Sequence, residues 1–134
     1  MDIESRCASL DTCILLRIIV NDIPEQHKKA IDLLLNGQSF YIDQAVISEA
    51  VYVQQKLDYS REEITESLQT LLHNDVFIYD REFYDSIFEE YLSHPSLSFE
   101  DCIIAARASI HGRTPLWTFD RKLASQSPVA RLLD

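Results

Sequence analysis

Apolar positions along this chain fall into brief runs separated by longer stretches with helical spacing, and polar residues mark where one gives way to the next. Residues 7–10 form such a run and stop at Asp11-Thr12, a helix N-cap signal ahead of the apolar segment 14–20. Asn21, Asp22 and Pro24 break that helix, and Pro24 suits the first turn of a second one over residues 27–35, closed by Asn36-Gly37. Residues 40–42 read as a strand. Residues 44–57 read as a helix by their length and by the polar tail Gln54-Gln55-Lys56. Ser60-Arg61-Glu62-Glu63 matches a capping box, and Ile64, Leu68, Leu71 and Leu72 continue it as a helical stripe. After a strand at 76–79, Asp80 can cap a helix over 81–91, in which Phe83, Ile87 and Tyr91 recur every four residues. His94-Pro95 ends that helix. The last third predicts a helix from Ser98 to Ile110, a stop at Gly112, a strand over 115–119, a short helix over 121–126 and an extended segment over 129–132.

Short apolar strands alternating with helices indicate βαβ connections and a mostly parallel sheet covered on both faces. The predicted class is α/β. With 134 residues, 1–134 is expected to be a single domain. Function in such sheets sits at the carboxyl ends of the strands, where Asp11 and Asp120 stand.

Composition removes several alternatives. At 46% apolar and 25% charged, the chain is globular rather than disordered. The longest apolar run, 13–20, is interrupted by Arg17 and is too short to span a bilayer, and Asp2 and Glu4 occupy the place where a secretory leader would be basic. A cytoplasmic location is the expectation. Cys7, Cys13 and Cys102 are odd in number and lack Cys-x-x-Cys spacing, so they are expected to be reduced, buried small residues. His27, His73, His94 and His111 show no metal-ligand spacing, and two glycines cannot build a phosphate-binding Gly-rich loop. The net charge of −10 opposes long-range attraction to nucleic acid, yet it equally suits a chain that gathers carboxylates around a cation or docks a basic partner.

Four acids carry the candidate chemistry. Asp11 and Asp120 could each be simple N-caps, and Ser98-x-x-Asp101 could be a variant capping box. Glu49 is the one charge within the apolar segment 45–53 and has no such local role; its structural explanation would be a buried ion pair with an arginine. The connectivity points instead to one acidic cleft. Carboxylates gathered closely repel and raise one another's pKa unless a cation neutralises them. Oxygen-only donors suit Mg²⁺ or Mn²⁺, and such a site can activate water and stabilise the leaving oxygen of a phosphodiester.

The segments SLDTCILLRIIVNDIPEQ, ISEAVYV, SFEDCIIAARA and LWTFDRKLA, in this order, resemble the four acidic motifs of the PIN domain family, and more narrowly a VapC-type toxin ribonuclease. The resemblance implies a three-layer α/β/α sandwich around a short, mostly parallel sheet, divalent-metal-dependent cleavage of RNA, homodimers and inhibition by a cognate antitoxin. It assigns Asp11, Glu49, Asp101 and Asp120 as the catalytic, metal-binding acids, with Thr12 and Thr118 in support. Cys13 departs from the Asn that the family often carries there, and Glu100 beside Asp101 leaves the third acid ambiguous by one residue. Arg17, Arg107, Arg113, Arg121 and Lys122 are the basic residues nearest the motifs for holding RNA. Two other functions compete: a non-catalytic PIN-like protein-interaction module, and an aspartyl-nucleophile phosphatase, which the Cys13 two residues after Asp11 disfavours.

Overall fold

The computed structural model describes residues 7–134; Asp2 and Glu4, on which the leader reading rests, lie outside the described residues. The chain forms two compact units, one ending at Arg81 and the other comprising Glu82–Asp134.

The first unit holds β1 (Cys7–Ser9), α1 (Thr12–Ile19), α2 (Pro24–Leu34), β2 (Ser39–Tyr41), α3 (Gln44–Lys56), α4 (Arg61–Leu72) and β3 (Phe77–Ile78). Its strands make a parallel sheet in the order β1-β2-β3, with Ala8 opposite Phe40 and Phe40 opposite Phe77. Backbone bonds carry the ladder past the strand ends: Leu10 N–H donates to the Tyr41 carbonyl (3.2 Å) and Ile42 N–H to the Ile78 carbonyl (3.0 Å). Asp11 and Asp43 therefore follow directly on the last ladder bonds of their strands. Both serve as caps, Asp11 for α1 and Asp43 for α3, where the Asp43 carboxylate accepts from Ala45 N–H at 2.9 Å. Pro24 stands in the first turn of α2, where its missing N–H costs nothing.

Leu15, Ile47, Ala50, Ile64 and Leu68 are wholly buried, so α1, α3 and α4 each contribute to one core. Polar side chains enter it too, Gln54 the most deeply, with Thr12 and Thr65 also buried. Gln54, 1% exposed, donates to the Ala50 carbonyl (3.3 Å) and accepts from the Ser67 hydroxyl (3.0 Å), satisfying an amide that would be costly to bury bare. The bond to Ser67 also pins α3 to α4.

The second unit is built around α5 (Arg81–Ser93, whose first residue closes the preceding unit), α6 (Phe99–Ile110), β4 (Leu116–Thr118), α7 (Arg121–Gln126) and β5 (Ala130–Leu132). Phe99, the first residue of α6, is completely buried among Phe88 (5.1 Å between ring centroids), Tyr91 (5.5 Å) and Tyr84 (6.5 Å). Offset and edge-on rings of this kind add about 0.5–1.5 kcal/mol per pair beyond their area. The entrance of α6 is thereby anchored. Its exit is a Schellman motif, in which Gly112 at φ 64° lets its own N–H reach the Ser109 carbonyl (3.1 Å) while Arg113 N–H reaches that of Ala108 (2.8 Å). β4 and β5 pair in parallel, Trp117 opposite Arg131.

The α/β class and the parallel strands agree with the sequence reading, and the hydrogen bonding groups the strands as three and two. The cysteines are free, but only Cys102 is buried; Cys13 is exposed and Cys7 half-exposed, contrary to the expectation of three core residues. A thiol is small enough to be tolerated at a helix surface as well as in a core. Among the described residues no helix is long and apolar enough to cross a membrane.

Candidate active site

In the first unit one residue ties two of the predicted acids together. Thr12 opens α1 and is 3% exposed. Its N–H donates to Asp11 Oδ1 (2.7 Å) and its hydroxyl to Glu49 Oε2 (2.9 Å). Asp11 is placed by the end of β1 and Glu49 by the middle of α3, so Thr12 joins its chain neighbour to a residue 37 positions further along with two short bonds. Both carboxylates are exposed. The alternative account of Glu49, half of a buried ion pair with an arginine, does not hold: Glu49 is exposed, and its partner is the Thr12 hydroxyl. Ile47, Ala50 and Val51 are buried, while Glu49 shares the open side of the helix with Ala45 and Tyr52. Cys13 stands close by, its thiol donating to Asp11 Oδ2 at 3.8 Å, a weak bond.

In the second unit, Ser98 and Asp101 form a complete capping box. The Ser98 hydroxyl accepts from Asp101 N–H (3.0 Å), and Asp101 Oδ2 accepts from Ser98 N–H (3.2 Å). Asp101 is half-buried, whereas Glu100 is exposed. A carboxylate has about four acceptor sites, so one bond to the helix end leaves it capacity for a further partner. Asp120 caps α7, with Oδ1 accepting from Lys122 N–H (2.9 Å) and Leu123 N–H (3.2 Å). Thr118 holds the same residue from the other side, its hydroxyl accepting from Asp120 N–H at 2.9 Å. The Thr-x-Asp pair is thus a backbone clamp that sets the direction in which Asp120 leaves the strand.

The basic residues divide. Arg17 is committed to its own unit through Asp22 (2.9 Å) and Gln26 (2.6 Å). Arg107 lays its guanidinium over the Phe83 ring, 4.8 Å from the centroid. Arg113, Arg121 and Lys122 are exposed in the second unit. Trp117 and Phe119, which the sequence reads only as part of an apolar strand, are exposed, as is Arg131.

Among the described residues no group of three or more His, Cys, Asp and Glu side chains stands ready to hold a metal ion. The Asp11–Glu49 pair nevertheless fits a hard cation chemically, being oxygen-only, exposed and oriented by one donor; Mg²⁺ commonly takes one or two carboxylates and keeps its waters. A cavity of about 600 Å³ in the first unit, lined by residues such as Ile18, Gln54, Tyr59 and Glu63, includes none of the four candidate acids Asp11, Glu49, Asp101 and Asp120.

Comparison with known families finds a match to the model described as PIN domain over residues 8–127. No curated protein and no solved structure gives a significant match.

Proposed function

Since the chain belongs to the PIN domain family, whose members are generally nucleases, we propose that it is a divalent-metal-dependent endoribonuclease, a phosphodiester hydrolase acting on RNA as the toxin of a bacterial type II toxin-antitoxin pair. The observation that carries this reading is the double donation by buried Thr12 to Asp11 and Glu49. A caps-only role explains Asp11 but leaves the long-range bond to Glu49 without a purpose. Asp11, Glu49, Asp101 and Asp120 are its metal-binding acids. Mg²⁺ or Mn²⁺, when bound, supplies the charge that activates water and stabilises the leaving oxygen. The protein's own contribution is orientation: Thr12 fixes two carboxylates, and Thr118 fixes the backbone from which Asp120 projects. Arg113, Arg121 and Lys122 offer charge for RNA phosphates, while Arg17 and Arg107 act within the fold. A cytoplasmic location, a homodimer and a cognate antitoxin belong to the same proposal.

The test is cleavage of total cellular RNA by the purified protein with Mg²⁺ or Mn²⁺, against EDTA and Asp11→Asn controls. Metal-dependent cleavage that the substitution abolishes is expected; cleavage in EDTA, or undiminished by Asp11→Asn, would sink the mechanism. The lack of a three-acid group among the described residues favours a second reading, a non-catalytic PIN-like interaction module. Under it, neither metal nor Asp120→Asn changes any activity toward RNA.

A further inference from the structure

Parallel sheets ordinarily have both faces covered. In the β4–β5 pair one face is half-buried and the other is exposed. Leu116, Thr118, Ala130 and Leu132 are half-buried, whereas Trp117 and Arg131, opposite each other in register, are exposed, and Leu133 extends the ladder by donating its N–H to the Thr118 carbonyl (2.8 Å). Trp117 is 55% exposed and Phe119, two residues on, 79%. Two large aromatic side chains left in water at alternate positions are expensive unless something stacks on them. The Arg131 guanidinium already lies over the Trp117 ring, 5.7 Å from its centroid.

The surrounding charge identifies the occupant. Residues 113–134 contain four basic residues, Arg113, Arg121, Lys122 and Arg131, against two acids, Asp120 and Asp134, a local balance of +2 in a chain of −10. Exposed aromatic rings with interspersed cations are how proteins hold single-stranded nucleic acid, bases stacking on the rings and phosphates meeting the cations. A hydrophobic protein partner would leave these cations unused, and a duplex keeps its bases within its own stack. We propose that Trp117 and Phe119, with Arg131, form a base-stacking platform that binds single-stranded RNA beside Asp120. This rests on the reading that RNA is the substrate, and it adds to it the residues that seat the strand. Asp120 lies between Phe119 and Arg121 in the chain, so bases held on the rings bring the backbone of the same strand to the acid.

Trp117 is the only tryptophan of the chain, so its emission reports on the platform alone. In EDTA, where the proposed cleavage is silent, a short single-stranded RNA should quench that emission, and the same strand annealed to its complement should leave it unchanged. With labelled RNA, Trp117→Ala and Phe119→Ala should each weaken binding five-fold or more, and Trp117→Phe should retain most of it. Unquenched emission at saturating RNA, equal quenching by the duplex, or wild-type affinity in Trp117→Ala would overturn the platform. So would a Trp117→Ala protein whose RNA affinity is intact but whose self-association, followed by sedimentation, is lost, since the face would then join copies of the chain. Quenching without any metal-dependent cleavage would leave the platform standing and remove the nuclease reading; cleavage without quenching would do the reverse.

Discussion

Thr12 is nearly inaccessible, yet both of its donors serve carboxylates that water can reach. Its hydroxyl thus spends little on its own stability and much on the direction of Glu49. Thr12→Val keeps the volume and removes the hydroxyl, so the cost to folding should stay below about 1 kcal/mol because Glu49 can rehydrate, while loss of a bond to a charged group should slow RNA cleavage about ten-fold or more. Thermal melting and a cleavage time course on Thr12→Val and Thr12→Ser, the latter restoring both, check this. Asp120→Asn separates capping from chemistry in the same way. Asn caps as well as Asp does, so the melting temperature should move little, and cleavage should fall by orders of magnitude. Single residues were the least legible part of the sequence. Asp43 follows a strand and caps a helix just as Asp11 does, so position alone could not separate them. What singles out Asp11 is its neighbour Thr12, whose hydroxyl bonds a residue 37 positions beyond it, which no local pattern contains.

Helix ends, in contrast, were written plainly. The Ser60–Glu63 and Ser98–Asp101 boxes both form, and α7 spans residues 121–126 as its cap and length suggested. Capping depends on neighbours three residues apart, which is why it survives without tertiary information. The strands were less faithful: β3 and β4 are shorter than their apolar runs, because ladder pairing rather than hydrophobicity decides where a strand stops. The sidedness of β4 was not legible at all, since Trp117 and Phe119 are as apolar as core residues. Ser98→Ala removes one half of the α6 box and should cost about 1 kcal/mol, readable by urea denaturation with an unchanged m-value. Phe99→Ala, one residue further on, should cost about 3–5 kcal/mol, because it empties the aromatic cluster that anchors the same helix end.

The whole molecule carries −10, so long-range attraction cannot gather RNA, and binding must depend on a few local cations. If Arg113, Arg121, Lys122 and Arg131 each neutralise one phosphate, log affinity should fall with log salt at a slope no steeper than about −3. A titration of labelled RNA across salt concentrations measures it, and a much steeper slope would mean a basic surface other than this one. The fold class was legible at this scale because strand-helix alternation is a property of the entire chain. The caps described above have a consequence for descent. Asp11, Asp101 and Asp120 each close a helix, and only Glu49 does no such work. A lineage of this fold that gave up chemistry would therefore go on retaining three of its four acids for the sake of its helices, and Glu49 would be the first to drift. If the four acids hold the metal as proposed, its presence or absence, rather than that of the three aspartates, is the mark by which a working copy can be told from a retired one.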